Sequence, residues 1–184
     1  ALVMHNLEHC DPVHKITIVS RGMALGYTMN LPDDDRTLSV RSRFEDEMAA
    51  LLGGRVAEEL VFDDITTGAS NDLERVTRIA RDMVTRFGMS ETLGPVTYGE
   101  REQTVFLGRS IGEHVNYSQD MAQAIDEEIE RLVRRAHDRA RRTLVASMDR
   151  LHAVAARLIE VETIDRTEFE VLVAAEPVPE AAPA

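Results

Sequence analysis

The amino-acid sequence predicts a mainly α-helical domain, with a small β-hairpin or sheet near the N-terminus and a long helical C-terminal region. Apolar residues recur at helical spacing in several long segments, whereas a short β-branched run near the N-terminus favours strands. The chain is 43% hydrophobic, only 4% aromatic and free of tryptophan, which indicates a core packed mainly from Ala, Leu and Val. A length of 184 residues suits one domain with a substantial core.

Charge and cysteine content disfavour several classes of partner. The net charge of −12 argues against nucleic acid or an anionic lipid surface as the main partner, because long-range repulsion opposes both. Cys10 is the single cysteine and cannot form an internal disulfide, which agrees with a reducing compartment. No apolar run approaches the roughly 20 residues of a membrane-spanning helix, and no signal peptide is recognisable. We therefore expect this chain itself to be soluble.

The N-terminal segment predicts the end of one helix followed by two short strands. Residues 1–8 have a helical pattern, which Cys10-Asp11-Pro12 interrupts. Residues 15–20 form a β-branched strand, and residues 23–30 form a second strand next to it. An exposed edge of this pair could bind an extended peptide through main-chain hydrogen bonds, although a hairpin that only covers the helices fits equally well. The polar residues 31–41 are predicted to be mobile.

A long helix is predicted over residues 42–62, because apolar residues recur along one face. These residues are Phe44, Met48, Leu51, Leu52, Val56 and Leu60. The Gly53-Gly54 pair interrupts the helix at a cost of about 1 kcal/mol per glycine relative to alanine, which close approach of another backbone would explain. The periodicity places Glu59 near the middle of the apolar face and Glu58 at its edge. A salt bridge from either carboxylate to Arg55 or another arginine is the simplest role.

Residues 66–72, with the sequence TTGASND, precede a second predicted helix. Its apolar positions are Leu73, Val76, Ile79, Ala80, Met83, Val84 and Phe87. Ser70 or Asn71 is a suitable N-cap, and Gly88 is a suitable stop. Asp72 falls in line with the apolar positions and therefore points toward the buried side, where an unpaired carboxylate is costly. A cap or a buried ion pair explains this position, and a metal ligand is the alternative.

An irregular, glycine-rich segment covers residues 90–109. Its apolar residues Phe106 and Leu107 are predicted to anchor it, either to the core or to another subunit. A long helix then begins after the N-cap Ser118 and runs to about residue 146. Its arginines alternate with acidic residues, which indicates a salt-bridged face and not a nucleic-acid surface.

The last part of the chain continues the helical pattern. Residues 147–149 can break and restart the long helix, and residues 163–165 introduce a short last helix over residues 168–174. Residues 175–184 are rich in Pro, Ala and Glu and are predicted to be a disordered tail. The folded domain is therefore expected to span residues 1–174.

A possible metal motif lies in the N-terminal helical segment. His5, Glu8 and His9 fit the pattern H-x-x-E-H, the inverted signature of some zinc proteases. Two histidines four residues apart share a helix face and can both reach one Zn²⁺. This site would need a distal carboxylate, for which Glu58 or Glu59 could serve. Solvent-facing side chains near a helix end are the simpler interpretation.

Four segments of the sequence resemble the proteolytic domain of FtsH, a family of membrane-anchored, ATP-dependent zinc metalloproteases. They are LLGGRVAEEL at residues 51–60, TTGASND at residues 66–72, GPVTYGE at residues 94–100 and VFLGRS at residues 105–110. The resemblance extends over residues 1–174 in the order found in the family. One departure matters, because the H-E-x-x-H zinc motif of the family is absent from this chain.

The resemblance implies roles for particular residues. When aligned on DPVHKITIVSRG at residues 11–22, the missing motif would end directly before Ala1, so two zinc-binding histidines and the general-base glutamate are expected upstream. Asp72 would be the zinc ligand that this chain contributes. Glu58 would accept a hydrogen bond from a zinc-bound histidine and so fix its orientation. The substrate-binding strand would consist of Met23, Ala24, Leu25 and Gly26.

The resemblance also implies partners and location. The complete domain would hold one Zn²⁺ per subunit, form a homohexamer and degrade unfolded or membrane proteins at the cytoplasmic face of the bacterial inner membrane. ATP and Mg²⁺ would bind only in an ATPase module before residue 1, because no phosphate-binding G-x-x-x-x-G-K-[ST] loop occurs here. Since a single carboxylate does not hold a catalytic zinc, we expect this chain alone to bind zinc weakly and to be inactive. The alternative is a non-catalytic helical module for hexamer assembly.

Overall fold

The computed structural model describes residues 1–19, 26–31, 38–99 and 117–174. It confirms a mainly helical architecture with a small sheet near the N-terminus and a long helical C-terminal region. In chain order the elements are α1 (Leu2–His5), β1 (Val13–Thr17), β2 (Tyr27–Asn30), α2 (Arg41–Phe62), a 3-10 turn (Thr67–Ala69), α3 (Ser70–Thr85), α4 (Gln119–Val145), α5 (Met148–Val161), β3 (Thr163–Asp165) and α6 (Arg166–Ala174). None of the helices in these ranges is long and apolar enough to cross a membrane.

The sheet has three strands in the order β2-β1-β3, and both pairs are antiparallel. Strand β1 begins and ends earlier than the sequence predicts, and β2 begins at Tyr27; the first residues of the predicted second strand, 23–25, lie outside the described residues. Strand β3 was not predicted, since three residues are too few to show a strand period. It pairs through Ile164 with Ile16, and both side chains are buried.

Helix α2 forms the centre of the core, where it packs along α4 and against α3 and α1. The helical periodicity correctly identifies most residues at these contacts. The side chains with almost no exposed surface in these helices include Val3, Met48, Leu52, Val56, Val76, Met83, Ile125 and Leu132. Burial of each large apolar side chain contributes about 1.5–3 kcal/mol, so this cluster provides most of the stabilisation of the fold.

Close approach of another backbone does not explain the presence of Gly53 and Gly54 in α2. A Cβ at Gly53 would lie 3.1 Å from Cγ2 of the buried Val3, so a side chain of α1, and not another backbone, packs closely there. Gly54 has no atom within 4 Å of such a Cβ. Packing therefore accounts for Gly53 alone.

The start of α3 also differs from the prediction. Neither Ser70 nor Asn71 caps the helix, because the 3-10 turn leads directly into it and places Ala69 at the N-cap position. The side-chain oxygen of Thr66 caps the 3-10 turn instead by accepting a hydrogen bond from the backbone N–H of Gly68. The predicted stop is confirmed just after the helix, where Gly88 has a φ of +59°.

The C-terminal helices agree with the prediction at most positions. The Ser118 hydroxyl caps α4 by accepting a hydrogen bond of 3.3 Å from the Met121 N–H, and the helix breaks before Met148. Helix α6 begins at Arg166, two residues earlier than expected, because Asp165 accepts a hydrogen bond from the Glu168 N–H. Phe106, Leu107 and the predicted tail lie outside the described residues.

The predicted salt-bridged face of α4 is present. Arginines of this helix pair with acidic residues of α4 itself and of α2, and in two of the pairs the carboxylate, of Glu128 or of Asp46, is buried. The pairs are Arg131 with Glu128, Arg134 with Glu130, Arg135 with Glu45 and Arg139 with Asp46. Two of them connect α4 to α2 and therefore help to hold the two central helices together.

Candidate metal centre

Asp72 lies in the first turn of α3 and is half-buried. The sequence predicts that it faces the buried side, and Val76, one turn further along, is completely buried. Burial raises the pKa of the Asp72 carboxyl, and the positive charge of Arg75 partly offsets this increase. Arg75 forms its ion pair with Glu47, at 3.4 Å, and not with Asp72.

The Asp72 carboxylate accepts no hydrogen bond from any residue that the structure describes. A cap or a buried ion pair, the two structural roles considered for this residue, is therefore not observed within those ranges. A half-buried carboxylate without donors keeps its lone pairs available, and such a group suits a metal ligand.

Glu58 lies near the C-terminal end of α2 and is bound to the segment that leads to Asp72. Its Oε2 accepts a hydrogen bond of 3.0 Å from the Thr66 N–H, and its Oε1 accepts one of 2.8 Å from the Thr66 hydroxyl. The backbone bond and then the hydroxyl bond lower the pKa of Glu58, since both favour the charged form. Glu58 thus lies beside the loop that precedes the candidate ligand.

Glu59 has a different environment from its neighbour. Its Oε1 accepts a hydrogen bond of 3.0 Å from Arg55 Nε, and its Oε2 lies 2.9 Å from His137 Nε2 on α4. Burial alone would raise the pKa of Glu59, but the hydrogen bonds to His137 and Arg55 outweigh burial and lower it. Glu59 therefore joins α2 to α4, and the expected salt bridge to Arg55 forms through this residue and not through Glu58.

Thr66 belongs to the TTGASND stretch, and the sequence pattern alone gives it no separate role. It is exposed, and its hydroxyl both donates to Glu58 and accepts from the Gly68 N–H at 3.2 Å. A threonine two residues before a glycine at a turn was the available signal, because a hydroxyl commonly bonds the backbone two residues further along.

The inverted zinc motif does not form a site. Helix α1 ends at His5, whose ring contacts the Phe169 ring edge-on at a centroid distance of 5.6 Å. His9 lies beyond the helix, and its backbone N–H donates to Asp46 at 3.1 Å. The two imidazoles therefore do not share a helix face. Among the residues described, no three or more His, Cys, Asp or Glu side chains are arranged to hold a metal ion.

Part of the expected substrate strand can be located. Gly26 is described, whereas Met23, Ala24 and Leu25 lie outside the described residues. A Cβ at Gly26 would lie 2.7 Å from the Thr17 carbonyl oxygen, so only glycine fits against the end of β1 there. Strand β2, which follows Gly26, pairs with β1 on one side and has no neighbouring strand on the other within the described sheet.

Of the residues that the structure describes, Asp72 has the chemistry of a zinc ligand. Zn²⁺ commonly accepts a carboxylate oxygen together with imidazole nitrogens in a tetrahedral site. Asp72 fits such an oxygen ligand, because its carboxylate is half-buried and uncommitted within the described ranges. The remaining protein ligands would have to be supplied by residues outside those described.

The chain is similar to known proteins along almost its full length. The model of peptidase family M41 matches residues 1–172. The ATP-dependent zinc metalloprotease FtsH of Slackia heliotrinireducens is 56% identical over 172 residues, which cover 94% of this chain and 22% of that protein. The ATP-dependent zinc metalloproteases FtsH 1 of Sphaerobacter thermophilus and Thermomicrobium roseum are 54% and 51% identical, each over 94% of this chain. The chain spans only 22–26% of these relatives. It belongs to peptidase family M41.

Proposed function

We propose that this chain is the proteolytic domain of an ATP-dependent zinc metalloprotease of the FtsH type. The observation that carries the proposal is the half-buried Asp72 carboxylate, which has no hydrogen-bond donor in the described part of the chain. The names of the relatives and the family match support the same chemistry. The complete protein would hydrolyse peptide bonds of membrane and cytoplasmic proteins.

The residues of this chain would bind and orient the groups that react. A bound zinc ion would supply an acidified water and polarise the scissile carbonyl. Asp72 would donate one carboxylate oxygen to that ion. Glu58 would accept the ring N–H of a zinc-bound histidine and so hold its tautomer and orientation. The strand Met23, Ala24, Leu25 and Gly26 would hold an extended peptide through main-chain hydrogen bonds, which suits a protease that accepts many sequences.

The remaining ligands and the general base would come from an H-E-x-x-H motif in the parent protein, which this chain lacks. We therefore expect the 184 residues alone to bind zinc weakly and to leave protein substrates intact. The parent protein would use ATP and Mg²⁺ in a separate module, assemble as a homohexamer and lie at the cytoplasmic face of the bacterial inner membrane. No role with nucleic acid is expected, since the chain carries a net charge of −12.

The decisive experiment compares two aspartate variants of the full-length protein. Asp72→Asn should reduce the zinc content from about one per subunit to a small fraction and abolish casein degradation, because it removes an anionic ligand. Asp149→Asn is the matched control, since Asp149 is exposed in the first turn of α5 just as Asp72 lies in the first turn of α3. An Asp72→Asn protein that keeps its zinc and its activity would contradict the proposal.

The assembly module remains a second candidate function. It draws support from exposed apolar side chains in the C-terminal helices, where Ile159 is 77% and Val171 is 66% exposed. Light scattering of the 184-residue chain after size exclusion would test it. Concentration-dependent oligomers without any zinc would favour assembly as the role of this chain, whereas a strict monomer at high concentration would contradict it.

A further inference from the structure

Thr66 gives two hydrogen bonds to one carboxylate. Its backbone N–H and its hydroxyl bind the two different oxygens of Glu58, at 3.0 Å and 2.8 Å. Since these contacts come from neighbouring atoms of one residue, they fix both the position and the plane of the carboxylate. A long glutamate side chain at the exposed side of a helix end would otherwise sample several rotamers.

The same hydroxyl also organises the start of the Asp72 helix. It accepts the hydrogen bond from the Gly68 N–H that caps the 3-10 turn, and this turn leads into α3 at Ser70. Asp72 is in the first turn of that helix. One hydroxyl therefore bonds at the same time to Glu58 and to the turn that sets the position of Asp72, a combination that needs a donor and an acceptor on one atom.

Glu58 still has room for a third partner. A carboxylate offers about four lone-pair directions, and the structure shows two of them used by Thr66. The carboxylate therefore can accept an imidazole N–H in addition. Its orientation toward that partner depends on Thr66, since no other described residue donates a hydrogen bond to Glu58.

We propose that Thr66 is a positioning residue of the metal centre, which acts through Glu58 and through the turn before Asp72. This inference rests on the proposed function, because it assigns Thr66 a role in holding zinc. Thr66 would not touch the metal or the substrate. Its contribution is to fix the carboxylate that orients a zinc-bound histidine, together with the backbone that presents the carboxylate ligand.

The test measures zinc affinity of the full-length protein by competition with a chromophoric chelator. Thr66→Val keeps the shape of the side chain but removes the hydroxyl, and it should weaken zinc binding about tenfold, at the lower end of the effect of losing an outer-shell partner. Thr66→Ser should restore affinity close to the wild-type value, because it keeps the hydroxyl. The matched control is Thr67→Val, since Thr67 is exposed in the adjoining turn and its side chain forms no hydrogen bond among the described residues.

A double-mutant cycle separates positioning through Glu58 from a general effect on the fold. If Thr66 acts mainly through Glu58, then Thr66→Val should weaken zinc binding by less than about twofold when Glu58→Ala is already present. Thermal unfolding monitored by circular dichroism checks that each variant is folded, and Thr66→Ala provides a second test if the valine variant is not.

Three results would overturn the inference in distinguishable ways. If Thr66→Val binds zinc as tightly as the wild type does, Thr66 has no positioning role, while the proposed function stands. If the effects of Thr66→Val and Glu58→Ala simply multiply, Thr66 does not act through Glu58, and the part of the inference that concerns the Glu58 carboxylate is overturned. If the wild-type full-length protein binds no zinc and Asp72→Asn changes nothing, the proposed function fails and this inference fails with it.

Discussion

Asp46 and Asp72 are both carboxylates on the inner side of a core helix, but their surroundings differ. Asp46 is only 1% exposed, and Arg139 Nη1 lies 2.7 Å from its Oδ1. That approach is not aligned as a hydrogen bond, so the contact is mainly Coulombic, while the His9 backbone N–H donates to Oδ2. Asp72 is less buried but receives no hydrogen bond from the described residues.

The comparison separates a structural carboxylate from a candidate ligand. At Asp46 the fold supplies a positive charge and a donor, which offset the loss of hydration on burial. At Asp72 the described residues supply no hydrogen bond, and only the charge of Arg75 partly offsets burial, so the pKa of its carboxyl is raised and binding of a cation would be favourable. A half-buried carboxylate that accepts no hydrogen bond from the described residues is therefore more informative about ligand binding than one with a counter-charge and a donor.

The largest effect in this comparison is expected at the paired carboxylate. Arg139→Met should lower the free energy of unfolding by about 2–3 kcal/mol, because it leaves Asp46 buried without its counter-charge. This loss is smaller than the roughly 3–5 kcal/mol typical of a fully buried pair, because the Arg139 side chain is 39% exposed. Urea unfolding followed by circular dichroism measures the change.

Arg135→Met is the control for that substitution. Arg135 also joins α4 to α2, but its partner Glu45 is 29% exposed, and such surface pairs contribute less than about 1 kcal/mol. If Arg139→Met and Arg135→Met lowered the free energy of unfolding equally, burial of Asp46 would not make its ion pair stronger than a surface pair.

A smaller effect, with a defined pH dependence, is expected for Glu59. Glu59→Gln removes the charge that binds Arg55 and His137 and should destabilise the chain by about 1 kcal/mol at neutral pH. The pKa of Glu59 is lowered in the folded state, so its stabilisation is complete above the ordinary pKa of 4.5 and is lost as pH falls through the folded value. Urea unfolding across this pH range should therefore show that the free energies of unfolding of the wild type and the variant become equal in acid.

Glu74→Gln serves as the reference for the pH experiment. Glu74 is exposed on α3 and has no hydrogen-bond or ion-pair partner among the described residues. Since Glu74→Gln removes no contact to the described residues, it should change the free energy of unfolding by less than about 0.5 kcal/mol at neutral pH. If the difference in free energy of unfolding between the wild type and Glu59→Gln grew as the pH fell, the expected pH dependence would be wrong.

The smallest change in stability is expected at the candidate ligand itself. Asp72→Asn should alter the free energy of unfolding of the 184-residue chain by less than about 0.5 kcal/mol or increase it slightly, because no hydrogen bond from the described residues is lost and burial of a charge is relieved. Thermal and urea unfolding at neutral pH would measure this. A loss above about 1 kcal/mol would show that Asp72 has a structural partner and would remove the contrast with Asp46.

The long helices could be predicted from the sequence because their apolar periodicity is a local property. Strand β3 could not, since its three residues gain their conformation from pairing with β1, far away in the chain. The cap of α3 was misassigned for a related reason: the 3-10 turn moves the capping hydroxyl to Thr66.

The candidate site was only partly accessible to sequence reasoning. Helical spacing predicted that Asp72 faces inward, but periodicity could not decide what the tips of Glu58 and Glu59 contact; the role of Glu58 came from resemblance. Asp46 lies on the same helix face as Ala49, Gly53 and Val56, and this spacing is the sequence signal for its burial. Whether a carboxylate is compensated depends on residues from other elements, such as Arg139, and this information is not local.

The central position of β1 has a consequence for how the chain is made. Its partner β3 is encoded almost at the end of the described residues, so Ile16 emerges from the ribosome roughly 7 to 30 s before Ile164 at ordinary rates of synthesis. During that interval one edge of β1 remains unpaired, and an open strand edge can add a strand from another chain. Slow translation of the C-terminal helices would therefore lengthen the period in which the newborn protein is most prone to aggregate.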